Sequence, residues 1–227
     1  MKRKQLEWWD VVFLSLILFG GAIFNSNYPF FSGIDYQVIA NATEFNAWDN
    51  IYGIFTILIE LSIAFLYLKW RHFDFKQWKY QITGKKTIWA IVIFVLSAIC
   101  LDLADIAWMG WKNSMAFVGS KEYLNVIKGI DLSLLAFSLL NGFYEEIFFL
   151  GICFSTKNSQ KWFVFIYSLI IRFSFHTYQG IVPALEIGVI LGTIFYILYK
   201  KSDRNLYPFM LAHSLADIIG ASILYLL

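Results

Sequence analysis

The sequence predicts an all-α, polytopic transmembrane helical bundle of about seven spans with a cytoplasmic N-terminus. Three observations carry this expectation. Of 227 residues, 59% are hydrophobic and only 15% charged, where a soluble domain of this size carries about 25% charged residues. The apolar residues gather in blocks near the ~20 residues needed to cross a bilayer. The basic residues, finally, fall on alternate connections between those blocks.

The first block, 9–29, follows Met1-Lys2-Arg3-Lys4 and lacks a convincing small-residue cleavage site, so it reads as an uncleaved first helix. Residues 25–50 hold Asp35, Glu44 and Asp49 but no basic residue, as an external loop should; the acceptor pattern Asn41-Ala42-Thr43 within it is a chance match. Span 2, 51–69, carries Glu60, expected to pair with a neighbouring helix. The Trp70–Trp78 stretch that follows reads either as an aromatic and cationic interface anchor or as an ordinary basic loop. Span 3, 87–109, bears Asp102 and Asp105 near its end. Span 4, 130–154, begins at Asp131 and buries Glu145 and Glu146 between Gly142 and Gly151, small residues that let membrane helices approach closely. Span 5, 162–179, carries Arg172 and His176. Span 6, 181–199, has Glu186 near its start, and span 7, 206–227, carries His213 and Asp217.

Fourteen of the 18 Lys and Arg residues lie before span 1 or between spans 2 and 3, 4 and 5, or 6 and 7. The opposite side has only Lys112, Lys121 and Lys128, and Arg172 lies within span 5. The positive-inside rule therefore places the N-terminus in the cytoplasm and the end of span 7 outside. Cys100 and Cys153, the sole cysteines, both fall in apolar blocks and read as buried small hydrophobes rather than a disulfide framework. No internal repeat, low-complexity tract or second domain is evident, so residues 1–227 read as a single membrane domain. The Phe-, Ile-, Asn- and Lys-rich, Pro-poor composition points to an AT-rich bacterial genome and a bacterial plasma membrane.

Charged side chains in hydrocarbon cost roughly 2.5–3.5 kcal/mol each on insertion scales, so those that persist mark functional interiors. At 1.5 Å per residue, Glu145, Arg172, His176, His213 and Asp217 all fall within about 10 Å of one another in depth. His213 and Asp217 are i,i+4 and share a helix face, as do Arg172 and His176. Glu145 and Glu146 diverge by about 100° around their helix, so one would address the site and the other brace it. A carboxylate and an imidazole around one water can abstract its proton and aim it at a carbonyl, while a second imidazole stabilises the oxyanion. No serine or cysteine nucleophile stands out, and Ser174 and Ser214 read as hydroxyls bonded back to their own helices. Glu, His and His could instead hold zinc, but no His-Glu-x-x-His signature is present. Water activation with no cofactor is the preferred reading, with zinc as the alternative.

These residues resemble the motifs of the CPBP intramembrane proteases, the group of type II CAAX prenyl endopeptidases and bacteriocin-processing or self-immunity (Abi) proteins. Glu145-Glu146-Ile147-Phe148-Phe149-Leu150 is similar to their Glu-Glu-x-x-x-Arg, Arg172-Phe173-Ser174-Phe175-His176 to Phe-x-x-x-His, and His213-Ser214-Leu215-Ala216-Asp217 to His-x-x-x-Asn/Asp. Thr177-Tyr178-Gln179-Gly180 resembles a Tyr-Gln-Gly run of bacterial members. The resemblance covers roughly residues 130–220, which it implies are a catalytic core. It implies that Glu145 and His176 activate water, that His213 and Asp217 shape the oxyanion region, and that Glu146 supports them without an obligatory metal. Leu150 stands where the motif has arginine, and Arg172, standing where it has phenylalanine, is expected to supply that cation. The expected partners are membrane lipid and a peptide or membrane-protein substrate, with no nucleic acid. The expected activity is endopeptidase cleavage of a bacteriocin or pheromone precursor, or self-immunity. A catalytically inactive binder or scaffold is the alternative, and a small proton-coupled transporter a third reading.

Overall fold

The computed structural model describes residues 5–33, 46–110 and 130–223. Asn41–Thr43 and the three lysines expected outside lie beyond these residues. The described residues form seven helical segments, and the all-α expectation holds.

Helices α1 to α4 start where the sequence offers a side chain that satisfies first-turn backbone donors. Helix α1 (Trp8–Ser32) opens on a reciprocal cap between Glu7 and Asp10 and runs through Pro29 to Gly33, whose φ of 71° ends it. Helix α2 (Ala47–Trp70) is capped by Asn46, which accepts from the Trp48 and Asp49 amides. It buries only a thin stripe of Asn50, Ile57, Ala64 and Leu68 and leaves Phe55, Leu58, Ile59 and Leu66 exposed, as suits a lipid-facing edge helix. Helix α3 (Gly84–Met109) is capped by Thr83. Helix α4 (Leu132–Ser155) is capped by Asp131, which accepts from Leu134 N at 2.8 Å, and contains a π-helical turn over Ile147–Ile152. Helix α5 (Lys161–His176) ends in a short 3₁₀ turn and Gly180, whose φ is 102°. Helix α6 (Ile181–Lys201) also carries a π-helical turn, Glu186–Leu191. Helix α7 (Tyr207–Ile219) has Pro208 in its first turn, where the missing N–H costs nothing, and ends at Gly220.

Helix α4 is the centre of the bundle. It packs on α7 and α2, while α7 also packs on α3, α1 on α5, and α5 on the π turn of α6. One apolar core joins α1, α2, α4 and α5 around Phe19, Phe148, Phe149 and Phe175. A second joins α3, α6, α7 and the far face of α4 around Ile93, Leu150, Phe195 and Phe209. Trp78 and Ile147 touch both. Two glycines permit the tightest crossings. A Cβ on Gly142 would lie 2.5 Å from the Met210 carbonyl oxygen, and one on Gly188 would lie 2.6 Å from the Phe173 backbone. Close backbone approach of this kind replaces the hydrophobic drive that lipid does not supply.

Some expectations change. Among the described residues, five helices (α1, α2, α3, α4 and α6) are long and apolar enough to cross a membrane. In the expected spans 5 and 7, α5 and α7 are 16 and 13 residues long, about 24 and 20 Å; α7 stops at Gly220, and α5 gives way to a 3₁₀ turn that ends at Gly180, both glycines with positive φ. Residues 30–32, beyond the expected first span of 9–29, continue α1. Cys100 is exposed, not buried, whereas Cys153 is buried as expected. The Trp70–Trp78 stretch is partly folded into the bundle, with Trp70 left exposed. Phe73 is 3% exposed, and Trp78 enters the core, donating its indole N–H to the Gly151 carbonyl at 3.1 Å. Arg71 pairs with the fully buried Asp10 at 2.7 Å.

Candidate active site

The three polar clusters converge. Glu146, with no exposed surface, sits at the last α-helical residue before the π turn of α4, a feature frequent at functional sites. Its Oε1 accepts from Arg172 Nη2 at 2.7 Å and from His213 Nδ1 at 2.8 Å. His213 Nε2 lies 3.7 Å from Glu145 Oε1 and 3.6 Å from Asp217 Oδ1. The imidazole thus spans the angular divergence of the adjacent glutamates, meeting one with each ring nitrogen. Asp217 is the most open member, its side chain 26% exposed.

His176 stands apart from this network. It is buried, and its Nδ1–H donates to the Arg172 carbonyl one turn back at 2.7 Å; no bond joins it to either glutamate among the described residues. That hydrogen bond leaves Nε2 as the acceptor nitrogen. Both Glu145 Oε2 and Glu146 Oε2 are buried without a hydrogen-bond partner, as is Arg172 Nη1. Buried polar atoms are rarely left so, and an unpaired carboxylate oxygen in a membrane interior marks a place for a water or a substrate donor.

Among the described residues Arg172 is the largest fully buried side chain, its guanidinium 4.0 Å from the Phe149 ring centroid. It shares a small cavity with Leu150, Ser168, Leu169 and Phe195. The cation on Glu146 therefore comes from α5, while the apolar Leu150 lies beside it on α4.

Two contributors went unnoticed in the sequence. Asn141 donates to Asp217 Oδ2 at 2.9 Å and to Glu145 Oε1 at 3.2 Å, linking α4 to α7. Its signal was its position, one turn before Glu145 in an apolar block. The Tyr144 hydroxyl bonds the Leu18 carbonyl and lies 2.7 Å from Glu60 Oε2. This is the interhelical partner expected for Glu60, and it sets the rotation of α4 just before the glutamates. Ser174 and Ser214 bond their own helices, to Ile170 O at 2.7 Å and Met210 O at 2.9 Å, as expected. Both His213 nitrogens face carboxylates, and no three His, Cys, Asp or Glu side chains converge as ligands among the described residues.

A helical bundle enclosing carboxylates, imidazoles and a guanidinium has the parts of a hydrolase set within a membrane. Residues 129–219 match the family model described as type II CAAX prenyl endopeptidase Rce1-like. The matched stretch contains α4 to α7 and every residue of the cluster, and the family is one of intramembrane CAAX proteases. No curated protein and no solved structure shows a significant match to the chain.

Proposed function

We propose that the protein is an intramembrane endopeptidase that hydrolyses a membrane-associated peptide through water activated by Glu145 and His176. The observation that supports this reading is the buried Arg172–Glu146–His213 chain, which engages Glu146 Oε1 twice and suits a bracing role, while Glu145 makes no ion pair with Arg172 and has Oε2 without a partner, as has Glu146. In this mechanism Glu145 takes a proton from the water while His176 Nε2 accepts its other hydrogen. The water oxygen attacks the scissile carbonyl, and the resulting oxyanion is met by donors from the His213 and Asp217 region. Glu145 then returns the proton to the leaving amine as the C–N bond breaks. No metal or other cofactor is required.

The substrate in this reading is a bacteriocin or pheromone precursor in a bacterial plasma membrane, with processing or self-immunity as the biological outcome. The test is cleavage of the precursor encoded nearest the gene, in cells expressing wild type, Glu145→Gln or His176→Ala at matched membrane levels. General acid–base groups contribute roughly 10²–10⁴-fold, so both substitutions should reduce cleavage to background. Leu150 favours the alternative of an inactive peptide-binding relative. Survival of an associated immunity phenotype in both variants, with processing unchanged, would establish that alternative.

A further inference from the structure

The end of the bundle that carries most of the lysines and arginines holds a cavity of about 370 Å³. It lies between the α2–α3 connection, the end of α4 and the turn joining α6 to α7. Its wall includes Trp78, Lys79, Ser155, Tyr199, Asp203 and Arg204, and none of the clustered glutamates or histidines lines it.

The polar groups of this wall divide cleanly by what the protein already uses. Trp78 spends its indole N–H on the Gly151 carbonyl and on Ser155 Oγ, at 3.1 and 3.2 Å. Asp203, the one carboxylate, is held by Lys86 Nζ at 2.6 Å. Ser202 Oγ is used within its own turn, donating to the Tyr199 carbonyl and accepting from the Arg204 amide, and besides Gln77 the wall then offers Tyr199, Lys79 and Arg204. Tyr199 is 3% exposed, and its hydroxyl has no hydrogen-bond partner among the described residues. Neither Lys79 nor Arg204 forms a salt bridge among them. Arg204 also has a φ of 58°, a left-handed backbone that residues other than glycine rarely adopt and that tends to be retained at functional positions. Just outside, burial and the charges of Arg204 and Lys200 together lower the Lys161 pKa. The site is thus a pocket with two cations free of carboxylate partners among the described residues, Arg204 lying 5.9 Å from the Phe154 ring centroid, one tyrosine hydroxyl, and its only acid held by Lys86.

We propose that this cavity binds a phosphate group, carried on an anionic phospholipid headgroup or free in solution. The planar guanidinium of Arg204 suits two phosphate oxygens at once, Lys79 adds a point charge, and Tyr199 donates the neutral hydrogen bond. The position at the rim of a membrane bundle is where anionic headgroups meet basic side chains.

The test uses the full chain purified in neutral detergent, with binding read by thermal shift and native mass spectrometry. The probes are dioctanoyl-phosphatidylglycerol, dioctanoylglycerol as the matched lipid lacking phosphate, and inorganic phosphate. Phosphatidylglycerol should raise the unfolding midpoint and remain bound at one per chain, while dioctanoylglycerol should do neither. If inorganic phosphate alone gives the same shift and displaces the lipid, the source is free phosphate; if it does not, the source is the headgroup. The pair Lys79→Gln with Arg204→Gln should weaken binding roughly 30-fold. The pair Lys76→Gln with Lys85→Gln, at the same end but off the cavity wall, should leave it unchanged. Tyr199→Phe should weaken binding without moving the unliganded midpoint, and it carries the test if the double variant fails to fold. The proposal is overturned if neither phosphate probe outperforms dioctanoylglycerol, if the off-wall pair weakens binding as much as the cavity pair, or if Tyr199→Phe binds as wild type.

Discussion

Arg172 shows how much a single side chain carries here. Its guanidinium, stacked on Phe149 and bonded to Glu146, is among the least solvated groups of the molecule. Removing one partner of a buried ion pair leaves the other charge stranded, at a cost of about 3–5 kcal/mol. Arg172→Met should therefore lower the unfolding free energy by about that amount in detergent denaturation, and adding Glu146→Gln should recover most of it. For activity the sharper experiment is the exchange Arg172→Phe with Leu150→Arg, which moves the cation from α5 back to α4. Retained cleavage is expected; normal processing by Arg172→Ala would end the idea that Arg172 substitutes for the motif arginine. The convergence of Glu145, Glu146, Arg172, His213 and Asp217 was legible from depth and i,i+4 spacing alone. The bonding pattern was not, because helix rotation is set by contacts such as Tyr144 with Glu60 that lie far apart in the chain. Asn141 was overlooked for the same reason: one amide in an apolar run has no partner until α7 is in place.

At the scale of elements, α4 owes its close fit to Gly142. A methyl group there would lie 2.4 Å from Ser214 Oγ and 2.5 Å from the Met210 carbonyl, and backbone cannot move aside cheaply. Gly142→Ala should destabilise the protein by about 1–3 kcal/mol and, by prising α7 from α4, abolish cleavage. Gly21→Ala, with open space around it, is the control and should be neutral or slightly stabilising, since alanine favours the helix. Apolar blocks located α1 to α4 and α6 to within a few residues, because length and composition fix a span directly. They gave no hint of the π turns in α4 and α6, where hydropathy is uniform and only the hydrogen-bond register changes. Nor did they show Trp78 turning inward, since its partners, Gly151 and Ser155, belong to another helix.

For the whole molecule the basic end defines an orientation that can be measured. With Cys100 and Cys153 replaced by serine, an impermeant maleimide should label Lys85→Cys only after cells are permeabilised, and Asn46→Cys in intact cells; the reverse pattern would invert the topology. The same end should respond to acid. Lys86 beside Asp203, and Lys157 with Gln160 beside Glu7, hold those carboxyls below their ordinary values. A carboxylate with a lowered pKa stabilises the fold above its ordinary value and ceases to as pH falls through the lowered one. Lys86→Met should thus reduce the unfolding midpoint at neutral pH and make no difference well below the ordinary aspartate value of 3.8. The two apolar cores meet along α4, and this has a consequence in time. During synthesis α4 enters the membrane bearing two adjacent acids, and α5 follows with the arginine that neutralises one of them. Glu145 and Glu146 meet His213 only when α7 arrives. Any cut or stall between α6 and α7 would leave a nascent bundle that is charge-relieved but lacks His213 and Asp217, so the polar cluster is completed only by the last helix to arrive.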